Sequence, residues 1–196
     1  MSEDSKEKIV AGAYRALVRG GYAATSVKDI AAEAGVAPGL VHYYFETKED
    51  LLVAAIDHGC AGFDSNLVAL ARMDPLQAAR FGFQSEKDQL ASSRDVYRLV
   101  FDMVGVGLHN PKIATAVKRY FESRRSVIAG IGSALFEQAR NRPTMPIGAT
   151  SSVIWASFVG IALQKLIDPD FDSDGALDAL ADMVFTYIPI AIGEEV

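Results

Sequence analysis

The chain of 196 residues holds a single cysteine, Cys60, so it cannot form an intrachain disulfide and suits a reducing compartment better than secretion. A lone thiol of this kind reads as a small buried hydrophobe. Histidines number three and are too scattered for a metal-binding helix motif, so neither metal nor cofactor is expected. Positive charge is also short. The formal net charge is -6, which gives the whole molecule no electrostatic reason to seek nucleic acid, so a DNA reading has to rest on local geometry. The opening MSEDSKEK lacks the apolar core of a signal peptide, and export is not expected. The stretch from Pro143 to Gln164 is uncharged and long enough to span a bilayer, yet it carries two prolines together with Thr144, Thr150, Ser151, Ser152 and Ser157. No membrane partner is expected from it. Internal repeats, low-complexity tracts, hairpin signals and runs of β-branched strand residues are missing as well.

What is present is apolar residues, 50% of the chain, set at helical spacing almost throughout. Over residues 6 to 20, Ile9, Ala13, Ala16 and Leu17 form a stripe, and Gly20-Gly21 ends the helix. Thr25 and Ser26 are candidates to cap a short second helix carrying Ile30, Ala31 and Ala34, which Gly35 stops. Pro38 suits the first turn of a third helix, and Thr47 followed by Glu49 and Asp50 opens a fourth. Longer helices are predicted at about 47 to 72, 75 to 90, 93 to 109, 111 to 141, 147 to 168 and 174 to 190, punctuated by Asp74-Pro75, Asn110-Pro111, Pro143 to Pro146 and Asp168 to Asp174. The pattern is all-α: a small three-helix unit, then a larger bundle, about nine helices in total.

The segment VAPGLVHYYFETKEDL, residues 36 to 51, places four rings in a row, His42 to Phe45. At about 100° per residue, Val41 and Phe45 fall on one side with Pro38, and Gly39, Leu40 and Tyr43 on the other, with His42 and Tyr44 flanking. Val41 and Phe45 are expected in the core. A short helix with an aromatic outer face, preceded by a helix and a glycine turn, makes a helix-turn-helix from Val27 to about Tyr44.

The string TSVKDIAAEAGVAPGLVHYYFETKEDL resembles the DNA-binding signature of the TetR family of bacterial transcriptional regulators, over about residues 8 to 55. Thr25, Ile30-Ala31, Ala34-Gly35-Val36, Gly39, the aromatic block closing on Phe45, and Lys48, Glu49 and Leu51 carry the likeness. It departs at Ala37, Leu40 and His42, where the family often has serine or threonine, threonine and tyrosine.

The resemblance implies a helix-turn-helix DNA-binding domain in residues 1–47 and a helical effector-binding and dimerisation domain in 48–196. It implies that Tyr43 is the main groove contact, that Lys48 and the amino end of helix four clamp a phosphate, and that Tyr44 and His42 touch the DNA backbone. Lys28 would reach a base or phosphate, and Thr25 and Ser26 would anchor the backbone as well as cap. Pro38 and Gly39 would allow close approach, and Leu40 could meet a thymine methyl. Residues 1 to 50 hold six Lys and Arg against eight Asp and Glu, so non-specific DNA affinity should be modest and salt-sensitive.

For the larger part the resemblance implies a homodimer whose seam includes Trp155, Phe158, Val159, Gly160 and Leu163 with Leu177, Leu180, Val184 and Tyr187. The alternative is an intramolecular core helix. Candidates for the pocket of an unknown small-molecule effector are Phe81, Phe83, Tyr97, Phe101, Met103, His109, Tyr120, Phe121 and Trp155. His109 reads either as a polar pocket group or as a cation at a helix C-terminus. The expected function is a cytoplasmic, ligand-responsive repressor on a near-palindromic double-stranded operator, with activation as the other polarity.

Rival classes are an enzyme built on His109 with Tyr120 or Glu122, and a helix-turn-helix used for protein contacts. On the bland reading Tyr43 and Tyr44 cover a helix joint, while Lys48 and His42 are ordinary surface residues. Asp170, Asp172, Asp174 and Gly175 imitate a calcium loop, but its twelfth position is Ala181, so an acidic cap for the last helix is expected. GVGLHN lacks the third glycine of a dinucleotide site and GIGSA lacks the serine of a nucleophile elbow.

Overall fold

The computed structural model describes residues 3–70, 73–137 and 145–192, with the side chains of residues 3, 60–69 and 187–192 left outside. Expectations attached to the Cys60 and Tyr187 side chains, and to Pro143 and Thr144, therefore fall outside the described residues. All regular structure among the described residues is helical: α1 (Glu3–Ala24), α2 (Val27–Ala34), α3 (Pro38–Tyr44), α4 (Lys48–Leu70), α5 (Pro75–Ser92), α6 (Arg94–Gly107), α7 (Pro111–Glu137), α8 (Ile147–Ile167) and α9 (Ser173–Ile192).

The helix starts have local causes. Ser26 accepts from the Asp29 N–H at 3.2 Å while the Asp29 carboxylate accepts from the Ser26 N–H at 2.8 Å. Thr47 and Asp50 repeat this reciprocal box at α4, at 3.1 and 3.2 Å, each satisfying N–H groups that the first turn leaves orphaned. A second device serves α5 and α7, where Asp74 and Asn110 precede a proline and accept from the N–H groups two and three residues on. Asp172 accepts from the Gly175 N–H at 2.9 Å, so the loop that imitates a calcium site caps α9. Gly35 closes α2 at φ 66, in the left-handed region. Gly21, at φ 74, kinks α1 near its end, and the helix resumes to Ala24.

The chain packs as two compact units. The first joins residues 1–65 to 95–121 and the second joins 66–94 to 122–196. In the first, Ile9, Leu17, Ile30, Val41, Leu51 and Leu52 are all but inaccessible, and Leu99, Met103, Ile113 and Ala116 complete the same core. Arg15 and Arg19 pair with Glu33 at 3.0 and 2.9 Å, fastening α1 to α2, and Arg119 reaches Asp57 at 2.9 Å. Lys112 also pairs with Asp50. In the second unit Phe83, Trp155, Phe158, Leu177 and Leu180 are buried. Phe83 meets Phe158 edge-on at 5.2 Å, and Lys87 pairs with Asp178 between α5 and α9 at 2.5 Å.

Among the described residues α8 is the helix long and apolar enough to cross a membrane by length and composition. Its apolarity has two sources. Ile154, Trp155, Phe158 and Ile161 face the unit's interior, while Ala149, Val153, Ala156, Leu163 and Ile167 form an exposed stripe with half-buried Gly160.

Candidate nucleic-acid interface

Helix α3 has only seven residues and no side-chain cap, so packing has to hold it. Val41 is 1% exposed and Phe45 7%, both in the core of the first unit. Tyr43, two residues from each, is 68% exposed and meets the half-buried Tyr44 edge-on at 5.1 Å. Pro38, Gly39 and His42 are exposed around it, as is Lys28 on α2. A ring that large, left to solvent on a helix anchored from behind, can stack on or reach into a groove without any refolding.

Three candidates sit otherwise than expected. Leu40, expected outside with Tyr43, is half-buried and packs against the core of the first unit. Thr25, expected to anchor DNA, is buried, and its hydroxyl donates to the Gly21 carbonyl at 2.7 Å and the Ala16 carbonyl at 3.3 Å. It fastens the end of α1. Ser26 is exposed, but its hydroxyl belongs to the α2 box.

Lys48 is more engaged than an ordinary surface lysine. Its Nζ donates to the Tyr22 carbonyl at 2.5 Å and lies 4.1 Å from the centre of the Tyr22 ring. Partial burial pulls its pKa below the usual lysine value, with Glu49 acting the other way. The Tyr22 hydroxyl donates to Glu49 at 3.1 Å, and the Tyr22 N–H to Asp102 at 3.0 Å. Burial first, and then Glu49, push the phenol pKa up. Tyr22 thus holds Lys48 and Glu49 at the amino end of α4, a role with no local sequence signal because its partners lie 26, 27 and 80 residues away.

The effector candidates do not gather in one place. Met103 and Tyr120 line a cavity of about 40 Å³ in the first unit, too small for an organic ligand. Phe101 and Phe121 are half-buried and Tyr97 is buried in that unit, His109 is exposed just past α6, Phe81 is exposed on α5, and Trp155 is core of the second unit. A cavity of about 370 Å³ lies instead within the second unit, and of the candidates only Phe83 borders it. Leu135, Ile154, Phe158 and Leu180 complete its buried floor with half-buried Ile128, and Met145, Val153 and Met183 form its exposed rim. Aliphatic side chains give no polar signal in a sequence, which is why this site escapes such a reading.

The seam candidates divide as well. Leu177 is 0% exposed and Trp155, Phe158 and Leu180 under 10%. These four are packing residues of their own unit, since their periodicity serves the interior. Leu163 is exposed and Val159, Gly160 and Val184 are half-buried.

A helix-turn-helix presented by a small helical head, ahead of a helical unit with a ligand-sized cavity, defines a class of protein. Residues 9–55 match the family model for bacterial regulatory proteins of the tetR family. The HTH-type transcriptional regulator YerO of Bacillus subtilis (strain 168) is 34% identical over 55 residues, 28% of this chain and 19% of YerO, so the match spans about a fifth of that relative. The fold is shared over nearly the whole length. A TetR transcription regulator from Haloarcula marismortui has a TM-score of 0.78 at 20% identity, over 97% of this chain and 100% of its own. A transcriptional regulator from Saccharomonospora viridis, solved with choline, gives 0.78 at 21% over 94% and 97%. FadR from Bacillus subtilis, solved with stearoyl-CoA, gives 0.73 at 16% over 90% and 97%. Residues 9–55 thus match the DNA-binding part of tetR-family regulators, and the chain shares its fold with these solved regulators over nearly its whole length.

Proposed function

We propose that the protein is a cytoplasmic, DNA-binding transcriptional repressor that holds a near-palindromic operator as a homodimer and releases it when a small molecule binds. The observation that carries this reading is the exposed Tyr43 on a helix pinned by buried Val41 and Phe45. Tyr43 would enter the major groove, with Lys28, His42 and Tyr44 on its flanks. Lys48 and the amino end of α4 would take a phosphate. Residues 1–47 would form the reading head and the remainder the effector and dimer domain. Binding rather than catalysis is the proposed role, in keeping with family members that are regulators.

Dimerisation is supported by the exposed apolar stripe of α8, and small residues at Ala156 and Gly160 favour close helix approach. Two copies would set their α3 helices about 34 to 36 Å apart, one turn of the duplex. The cavity of about 370 Å³ supports effector binding, since its volume falls among those of small-molecule sites. Helix α4 begins at the reading head and runs past residue 65. A ligand that favours one placement of α4 would thereby bias head separation.

Selection of DNA by the purified protein, followed by gel retardation of the enriched fragment in rising salt, tests the reading. A repressor enriches an inverted repeat and loses it as salt rises. Recovery of no common sequence would sink it.

A further inference from the structure

We propose that the cavity of the second unit takes an uncharged hydrocarbon ligand bearing one hydrogen-bond donor, an alcohol or a phenol, and discriminates against anions and cations. The inference rests on the reading of this cavity as the effector site. Among the described residues no Asp, Glu, Lys, Arg or His lines it, so a charged ligand would give up hydration without gaining a partner from them. The ligands of the two regulators solved with choline and with stearoyl-CoA carry a cation and phosphates. The described lining of this cavity offers no counter-charge to either kind.

Its hydroxyls fix the polarity of the one contact available. Thr150 and Ser151 are the hydroxyl side chains of the lining. Ser151, 2% exposed, donates its only proton to the Gly148 carbonyl at 3.0 Å, and Thr150 donates its own to the Pro146 carbonyl at 3.3 Å. A hydroxyl has one proton and two lone pairs, so both groups face a ligand as acceptors. An alcohol can donate to them, whereas an ether or ketone cannot.

Two glycines shape the space. Gly82 lies inside α5, where glycine costs helix stability, yet a Cβ there would meet nothing within 4 Å. Its bare position leaves room along the cavity that a side chain would occupy. Gly132 borders the same cavity, and a Cβ there would meet Ile147 Cδ1, the end of a side chain that also lines it.

The test uses the full chain and four probes of one length: 1-octanol, octyl methyl ether, octanoate and octyltrimethylammonium. Binding is followed by calorimetry and release of the selected operator by gel retardation. Octanol is expected to bind at least about tenfold more tightly than each of the others. Gly82→Leu should abolish this binding with melting temperature kept or raised, and the double substitution Thr150→Val, Ser151→Ala should bring octanol down to the affinity of the ether. An ionic probe or the ether matching octanol, or octanol binding untouched by Gly82→Leu or absent, overturns the proposal. A charged probe that wins and is lost in Gly82→Leu overturns the ligand class while keeping the cavity as a binding site. Octanol that binds as described but leaves the operator complex intact keeps the class and overturns the effector reading.

Discussion

Tyr43 and Val41 lie two residues apart on α3, one 68% and the other 1% exposed, so substitutions at the two separate recognition from folding. Tyr43→Ala removes no buried contact, and its stability is expected to stay within about 0.5 kcal/mol of the parent. Its base preference in DNA selection should change. Phe45→Ala empties a core position and should cost about 3 to 5 kcal/mol in chemical denaturation. A Tyr43→Ala protein that selects the same operator with the same affinity would remove the ring from the interface. Lys48→Ala is expected to weaken binding to all sequences and lower the slope of affinity against salt by about one. An unchanged slope would leave Lys48 as the tie to Tyr22 alone. The inward and outward residues of α3 were legible from a 100° step, because that rule concerns one helix. Leu40 and Thr25 were not, since what covers them comes from other elements.

At the scale of elements, the helix starts and stops were readable because their causes are local: a capping hydroxyl, a proline at the first turn, a glycine at the end. Close approach between helices was not. Gly12 sits in mid-helix, yet a Cβ there would lie 2.8 Å from Ala34 Cβ and 2.9 Å from Ala34 N on α2. Gly12→Ala would gain about 1 kcal/mol of helix propensity, but backbone cannot step aside, and overpacking of about 1 to 3 kcal/mol should outweigh that gain. The melting temperature is expected to fall. Gly39→Ala meets nothing within 4 Å and should keep or raise it while impairing operator binding. Acid acts on the same elements. Hydrogen bonds from Ser26 hold Asp29 below the usual carboxylate range, Arg15 and Arg19 do so for Glu33, and Lys112 and then Thr47 for Asp50. A depressed folded pKa gives stability that is fully present above the unfolded value, about 4, and is lost as pH falls through the folded one. Melting temperature should therefore hold level down to about pH 4 and drop below it, and Asp50→Asn should soften that drop.

For the molecule as a whole, the decisive surface is the stripe of α8, whose apolar character was legible although its direction was not. Small and aromatic residues alternate along residues 154 to 163, and nothing in that spacing says which face meets the same unit and which meets solvent. Packing assigns Trp155 and Phe158 inward and leaves Val153, Leu163 and Ile167 at 64%, 43% and 80% exposure. If two copies join across this stripe by a two-fold axis, every contact between residues i and j recurs as j and i, and one substitution acts twice. Leu163→Glu would then bring two carboxylates into an apolar seam, each losing hydration. The expected result is a dimer dissociation constant raised at least about a hundredfold, read by sedimentation, with helix content and melting of the monomer intact because residue 163 supports no core of its own. Operator affinity should fall with it, since one head reaches one half-site and forfeits the paired register. A Leu163→Glu protein that sediments as a dimer at the parent's concentration would exclude this stripe as the seam.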